Sequence, residues 1–360
     1  MTTCDGLRIL AAPPARRGCA SPAAHRVGGS PPRPTPQSPT PDRPPTIHHL
    51  YLSPHLDDAV LSCGGLIHRQ ARAGDAATVV TVCAGDPPAG PISGHAARLH
   101  ARWGLPPVGS AAAAAMVERR RAEDRAACAR LGARAIHLAV RDVIYRRTGV
   151  GGAWAVEDDA GLFAGVAGVA DDLVVAVAAD IDAIVADMAG PRQASPVTLY
   201  APLGIGDHVD HHLVRRAAER AVGAASSRAL PGPVVRLVYY EDYPYADDDD
   251  AVARALEIPE GAGSSVADPA SGAAEAATVA RTSGSPRLRP PSDRPTAWLP
   301  QPAALTAADV EAKVEAVAAY ASQISSFWPD PEAMGAAVRA FAARRAGPAG
   351  GFAERLWVRA

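Results

Sequence analysis

The sequence of 360 residues is poor in cysteine and aromatic residues, has almost no net charge and contains no long apolar run. Its five cysteines are widely spaced without a Cys-x-x-Cys pair, which excludes a disulfide framework and a thiolate zinc site and favours the reducing cytoplasm. A net charge of −2 excludes the basic surface with which proteins bind nucleic acid or anionic membranes. No apolar run approaches the roughly 18 residues of a membrane helix, so a membrane partner is not expected.

Two segments of low complexity lack any pattern that would bury an apolar face. In residues 1–46, eight of the fifteen positions from Pro31 to Pro45 are proline, which predicts a disordered leader. Residues 246–296 begin with an acidic run and continue in Ala, Gly, Ser and Pro, which predicts a disordered insertion. The remainder is predicted to form an α/β catalytic core over 47–245 and a helical C-terminal segment over 297–360 that packs on the same domain.

The predicted core alternates short apolar runs with helical patterns. Strands are predicted over residues 48–53, 77–83, 135–140, 198–202 and 234–241. Helices are predicted over residues 59–73, 116–131, 168–186 and 211–224. Alternation of this kind requires crossover connections, so we expect a doubly wound, mostly parallel sheet with helices on both faces, in a Rossmann-like arrangement.

Histidine and aspartate cluster in two segments that follow predicted strands. Residues 53–58 (SPHLDD) follow the first strand, and residues 206–212 (GDHVDHH) follow the fourth. Alone, the first segment is better explained as a helix N-cap beside a turn histidine. Ligands of doubly wound folds bind at the carboxyl ends of strands, however, and two clusters there indicate a shared site. Imidazole and carboxylate suit zinc, and three protein ligands with one open position are typical of a catalytic metal.

The two segments together resemble the paired signature of the LmbE-like, or PIG-L, family of zinc-dependent N-deacetylases, which remove acetyl groups from amino sugars. Four further pieces are similar to the family: residues 120–124 (RRAED), 142–146 (DVIYR), 240–245 (YEDYPY) and 313–323. The similarity spans about residues 47–245 and 296–358. It implies a cytoplasmic hydrolase with an LmbE-type fold that binds a small N-acylated sugar or glycosylated metabolite.

The resemblance also implies a metal centre. Carried over residue by residue, His55, Asp58 and His211 become the ligands of Zn²⁺ or of another divalent ion such as Fe²⁺. Asp57 becomes the general base. This assignment is chemically sensible because a catalytic metal lowers the pKa of its water toward about 7, and a neighbouring carboxylate then collects the proton.

The family pattern implies further roles around this centre. His208, when protonated, would stabilise the oxyanion and assist the leaving amine, and Asp210 would orient His208 and raise its pKa. Arg120 and Asp142 are weaker candidates for binding sugar hydroxyls. One departure concerns Gly206, because some sugar-processing members have a tyrosine at that position. Either another donor serves here or the oxyanion site differs.

Two other functions compete with the deacetylase hypothesis. His55, Asp57 and His211 also match the two-histidine, one-carboxylate triad of non-haem iron oxygenases. Oxygenases of the 2-oxoglutarate type carry that triad on antiparallel barrels, whereas these residues fall between strands and helices. A catalytically silent sugar-binding module is the second alternative, and the complete set of ligands, base and His208-Asp210 pair argues against it.

Overall fold

Strands and helices alternate from residue 48 to residue 240, and a second group of elements follows residue 297. The computed structural model describes residues 47–104, 109–149, 151–190, 195–226, 234–258 and 297–360. The predicted leader and residues 259–296 of the predicted insertion lie outside the described residues. The strands of the described residues, β1 to β7, are His48–Ser53, Ala76–Thr81, Arg134–His137, Val197–Pro202, Val235–Tyr240, Trp298–Leu305 and Phe352–Arg359. The helices, α1 to α10, are Asp58–Ala73, Gly94–Arg102, Gly109–Arg130, Asp159–Leu162, Asp171–Ala189, Val209–Ser226, Asp249–Glu257, Ala307–Val317, Ile324–Phe327 and Pro331–Ala346.

The seven strands form one mixed sheet in the order β3-β2-β1-β4-β5-β7-β6. Strands β1 to β5 are parallel, with Tyr51 of β1 opposite Val79 of β2 and Tyr200 of β4. From β1 the chain moves toward β3, and from β4 it moves toward the other edge, so the carboxyl ends of β1 and β4 flank the switch point where such folds bind ligands. The prediction of a doubly wound, mostly parallel sheet is confirmed.

The strand sequences are apolar on both faces because helices cover both faces of the sheet. Leu50, Tyr51 and Leu52 are consecutive in β1 and all fully buried, as expected for a central parallel strand. Helices α5 and α6 pack against each other, and α1 packs with α8. Every described helix is too short or too polar to cross a membrane.

The C-terminal segment joins the same sheet, but it is not purely helical as the sequence predicts. Strand β7 lies between β5 and β6 and is antiparallel to both. Strand β6 contains Pro300 and Pro302, which hid the strand pattern in the sequence. Both prolines are tolerated because β6 forms the edge of the sheet, where a missing N–H breaks few ladder bonds.

The start of the predicted insertion is ordered, and it is helical where the short periodic piece at residues 252–258 allowed a helical turn or two. Residues 249–257 form helix α7, whose N-cap Asp248 accepts a hydrogen bond from the backbone N–H of Asp250. Ala251, Val252 and Ala255 of this helix are buried in the main core. Three small apolar side chains on one face were enough to dock α7, although the acidic run before them suggested disorder.

A buried ion pair from the C-terminal segment holds the middle of α1. Lys313 of α8 and Glu354 of β7 are 2.8 Å apart and each about 1% exposed. The Glu354 carboxylate accepts hydrogen bonds from the backbone N–H groups of Gly65 (3.0 Å) and Leu66 (2.9 Å). A Cβ atom at Gly64 would lie 2.9 Å from the Lys313 side chain, so glycine is required for this approach. We call Lys313 and Glu354 the α1 anchor.

Candidate active site

The two predicted clusters meet at the carboxyl edge of the sheet. His55, Asp57 and Asp58 come from the turn between β1 and α1, whereas His208 and His211 come from the start of α6. All five side chains are buried. The topology therefore brings together residues that are about 150 positions apart in the sequence.

The turn after β1 is fixed by its own short hydrogen bonds. The Ser53 hydroxyl donates to the carbonyl of His55 (2.6 Å) and accepts from the N–H of Ala59 (2.9 Å). One carboxylate oxygen of Asp58 accepts from the backbone N–H of His55 (2.8 Å). Asp57 occupies the N-cap position but makes no capping hydrogen bond, which leaves its carboxylate free to face the cavity.

The three predicted metal ligands converge around one oxygen atom. Asp58 Oδ2 lies 3.1 Å from His55 Nδ1 and 3.5 Å from His211 Nε2. A second set of three potential ligands, with ligand atoms within 4.8 Å of one another, consists of His55, His208 and His211. A third set, with the same spacing, consists of His55, Asp142 and Asp210. These two sets give the site a His/Asp metal-binding group, and the predicted set of His55, Asp58 and His211 is not one of them.

In His55 and His211, the ring nitrogen that points away from Asp58 lies against the carboxylate of another residue. His55 Nε2 lies 3.2 Å from Asp210 Oδ2, and His211 Nδ1 lies 2.6 Å from Asp242 Oδ1. With a metal bound, each histidine would donate its proton to this carboxylate and present its other nitrogen, on the side of Asp58, to the ion, which is the arrangement usual for metal-ligating histidines. Imidazole and carboxylate donors suit a divalent metal ion, and the assignment of His55, Asp58 and His211 as its ligands stays a prediction.

His208 has the opposite arrangement. Its Nδ1 accepts a hydrogen bond from the backbone N–H of Asp210 (3.1 Å), so a neutral His208 carries its proton on Nε2. A protonated nitrogen cannot bind a metal, but it can donate to an oxygen atom of a substrate. His208 is therefore better suited as a hydrogen-bond donor than as a third histidine ligand.

The position of Asp210 differs from the prediction. Its carboxylate is directed to His55 rather than to the ring of His208, and it also accepts from the N–H of Val143 (2.9 Å) and from the guanidinium of Arg146. These contacts hold the side chain against the turn that follows β3. It is the backbone of Asp210, not its carboxylate, that fixes the ring of His208.

Sequence reasoning missed Asp242 as a site residue. Its Oδ2 accepts from the backbone N–H groups of Gly204 (2.9 Å) and Ile205 (3.0 Å), while Oδ1 faces His211. The residue follows β5 by two positions and so lies at the same edge of the sheet as both clusters. Its place directly after a predicted strand could have identified Asp242 as a candidate site residue from the sequence.

The two adjacent carboxyl groups, Asp57 and Asp58, have pKa values shifted in opposite directions. Burial, together with the charge of Asp58, raises the pKa of Asp57 to about 6. Burial would also raise the pKa of Asp58, but the rings of His211 and His55 hold it well below its usual range. Asp58 therefore remains a charged ligand, whereas Asp57 can take up and release a proton near neutral pH.

His208 does not have the raised pKa that the family resemblance implies. Burial, followed by the neighbouring rings of His55 and His211, lowers the pKa of His208 well below its usual value. The expected partner, the carboxylate of Asp210, is directed elsewhere. A neutral His208 follows from this environment.

Arg120 and Asp142 both line a cavity that also contains His55, Asp57 and Asp58. The volume of this cavity is about 250 Å³. The guanidinium of Arg120 lies 3.6 Å from Asp57 Oδ2, and its Nε is buried without a hydrogen-bond partner among the described residues. Asp142 caps the short turn that follows, accepting from the N–H of Ile144 (3.1 Å), and its other oxygen lies 3.9 Å from His55 Nε2. Asp142 is thus a turn cap that also faces the cavity.

The segment that carries the candidate site is similar to a family of known proteins. The family model described as PIG-L, GlcNAc-PI de-N-acetylase, matches residues 50–222, which include both clusters. Residues 50–222 of this chain are thus similar to the PIG-L family. The predicted resemblance is confirmed, and the parallel sheet excludes the antiparallel barrel on which the oxygenase alternative depended.

The relatives of this chain include, according to their names, a deacetylase of 2'-N-acetylparomamine and deacetylases of teicoplanin. The 2'-N-acetylparomamine deacetylase of Streptomyces fradiae is 32% identical over 208 residues, which cover 56% of this chain. The chain spans 59% of the length of that curated relative. A teicoplanin deacetylase in its zinc-inhibited form is 27% identical, covers 87% of this chain and 99% of its own, and has a TM-score of 0.60. The complex of a teicoplanin deacetylase with teicoplanin is 29% identical over the same shares, with a TM-score of 0.56.

The space beside Gly206 is filled by a tyrosine from another segment. Gly206 has a positive φ of 88°, and a Cβ there would lie 2.8 Å from the ring of Tyr245. The Tyr245 ring packs edge-on against His211, with 5.8 Å between ring centroids, and lines the cavity. Its hydroxyl has no hydrogen-bond partner among the described residues, so it is free to donate to a substrate.

Proposed function

We propose that this protein is a metal-dependent N-deacetylase that hydrolyses the acetamide of an N-acetylated amino sugar or of a glycosylated small metabolite. The observation that carries the proposal is the convergence of His55 Nδ1, Asp58 Oδ2 and His211 Nε2 beside the carboxylate of Asp57, which lines the same cavity. Similarity to the PIG-L family and the names of the relatives support the same reaction.

Zinc is the metal we assign to the three ligands. Two neutral imidazoles and one carboxylate form a donor set that zinc accepts readily in catalytic sites. When bound, zinc supplies Lewis-acid activation of water and polarisation of the amide carbonyl. Asp210 and Asp242 keep the two imidazoles in the tautomers that this role needs.

Asp57 moves the protons of the reaction. A carboxylate with a pKa of about 6 is largely ionised at neutral pH and can accept a proton from water as the water attacks the carbonyl carbon. The same carboxyl group then delivers this proton to the nitrogen of the leaving amine, and the C–N bond breaks. One water and one amide thus yield acetic acid and the amine, which exchange a proton to become acetate and the protonated amine.

Two donors serve the carbonyl oxygen as it becomes negatively charged. His208 donates from Nε2, because its Nδ1 is occupied by the backbone of Asp210. Tyr245 donates from its unpaired hydroxyl and replaces the donor that Gly206 lacks. Both are preorganised by packing, which is the condition for effective stabilisation of an oxyanion.

The sugar is bound by polar groups on the other side of the cavity. Arg120 has a buried, unpartnered Nε that costs about 1–3 kcal/mol unless a ligand or water satisfies it. Asp142 presents a carboxylate oxygen beside it in the same cavity. A guanidinium and a carboxylate together are well suited to the hydroxyl groups of a sugar, which donate and accept.

Metal analysis of the purified protein, combined with an acetate-release screen over N-acetylated sugars and conjugates, tests the proposal. Asp57→Ala is expected to retain metal but to lose turnover by about 10²-fold or more. His55→Ala and His211→Ala are expected to lose the metal itself. Full activity of the Asp57 variant would refute its role as base, and stoichiometric zinc in both histidine variants would refute the ligand set.

A further inference from the structure

Three aromatic side chains surround the mouth of the catalytic cavity. Trp103, Phe163 and Phe327 all line the cavity, and we call them the aromatic rim. Trp103 follows α2, Phe163 follows α4, and Phe327 ends α9. Since aromatic residues make up only 5% of the sequence, three of them from separate elements at one opening are a marked concentration.

The rim is unusually exposed for such side chains. Among the described residues, Phe163 and Phe327 are the two aromatic members of a small group of large exposed apolar side chains, and each is 39% exposed. Neither completes the main core. Apolar surface left open at a concave site typically marks the place where a ligand is bound.

The rim faces the reacting groups from two sides. The ring of Phe163 lies edge-on to His208, with 5.7 Å between centroids. Trp103 lies on the side of the base, since the guanidinium of Arg120 is 5.0 Å from its ring and 3.6 Å from the carboxylate of Asp57. A group held by the rim therefore lies next to the residues that act on the acetamide, so a single sugar unit can connect the two.

The size of the cavity limits what the rim can bind. A volume of about 250 Å³ is below the range of about 300–1,000 Å³ that is typical for larger ligands. An acylated monosaccharide fills such a cavity, so any group attached to the sugar must lie at its mouth. The groups that it meets there are mainly apolar, with the charged Arg102 and Asp159 beside them.

We infer that the aromatic rim is a subsite for an aromatic group attached to the acetylated amino sugar, and that the protein prefers an aryl conjugate to the free sugar. The inference rests on the proposed deacetylase function and specifies its substrate class. Aromatic rings of the substrate would pack against Phe327 and Phe163 in the offset or edge-on contacts that aromatic pairs prefer.

The test compares phenyl N-acetyl-glucosaminide with free N-acetylglucosamine on the full-length, metal-loaded protein. We expect kcat/KM for acetate release to be about tenfold higher for the phenyl glycoside, and Phe327→Ala to reduce this ratio to about twofold or less. Leu299→Ala is the matched control, because Leu299 is 49% exposed on β6 and does not line the cavity. The control is expected to keep the wild-type ratio.

Binding of the same two compounds is measured in parallel by calorimetry, so that the subsite and the reaction are tested separately. Tighter binding of the phenyl glycoside that depends on Phe327, without acetate release, would support the subsite and refute the proposed function. Acetate release with equal kcat/KM for both compounds, or with a ratio that Phe327→Ala leaves unchanged, would overturn the inference. Failure of both compounds to bind would overturn it as well.

Discussion

The carboxylate of Asp242 is predicted to control metal affinity without touching the metal. In Asp242→Asn, the side-chain oxygen must remain with the N–H groups of Gly204 and Ile205, because these buried donors would otherwise lose their acceptor. The new amide NH₂ then faces His211 Nδ1, which must accept instead of donate. The proton of His211 moves to Nε2, the nitrogen that faces Asp58, and the imidazole can no longer serve as a ligand.

The size of this effect follows from the geometry. Loss of an outer partner of a metal-binding histidine typically weakens metal affinity by about 10- to 100-fold, or about 1.4 to 2.7 kcal/mol. The contact between His211 and Asp242 is short, at 2.6 Å, and both side chains are at most 2% exposed, so water cannot replace the lost acceptor. We therefore expect the upper end of the range, near 100-fold.

Competition for zinc against a chromophoric chelator measures this affinity. Asp207→Asn is the matched control, since Asp207 makes a similar contact of 3.1 Å to the adjacent His212, which is not a ligand. Asp207 has a positive φ of 60°, a conformation that asparagine tolerates well. Wild-type zinc affinity in Asp242→Asn, or an equal loss in the control, would refute the reasoning.

The remaining predictions concern the oxyanion donor and the α1 anchor. Tyr245→Phe is expected to lower kcat by about 10²-fold with little change in KM, whereas Tyr243→Phe, whose ring packs against Phe341 in the core, is expected to retain activity. Steady-state kinetics check both variants, and equal kcat values in the two would contradict the role of Tyr245. Lys313→Met is expected to lower the free energy of unfolding by about 3–5 kcal/mol, because it leaves the carboxylate of Glu354 buried without its partner. Denaturant titration measures this loss, and the double variant with Glu354→Gln should recover part of it; an unchanged midpoint in Lys313→Met would argue against the anchor.

The fold and the residue types of the site were largely readable from the sequence. The alternation of apolar runs and helical patterns predicts the parallel strands, and the switch-point rule then places both His/Asp clusters at one edge. Strands β6 and β7 were missed because Pro300 and Pro302 interrupt the first, and because pairing with β5 is a long-range contact that local patterns do not encode.

The partners of individual atoms could not be predicted from the sequence. A pattern such as DHVDHH states that carboxylates lie near imidazoles, but not which ring nitrogen each one meets. The direction of Asp210 toward His55 depends on Arg146 and on the N–H of Val143, both contributed by a different turn. The lowered pKa of His208 likewise follows from burial beneath residues that lie far away in the sequence.

The α1 anchor couples the local unfolding of β7 to that of α1. The helix that begins with Asp58 is fastened at Gly65 and Leu66 to a strand almost 290 residues later in the chain. Local unfolding of that last strand would remove the acceptor of these two N–H groups, so we expect β7 and α1 to unfold as one cooperative unit. A ligand that binds at the candidate site beside Asp58 should accordingly slow amide hydrogen exchange in β7, although β7 lies almost 300 residues later in the sequence.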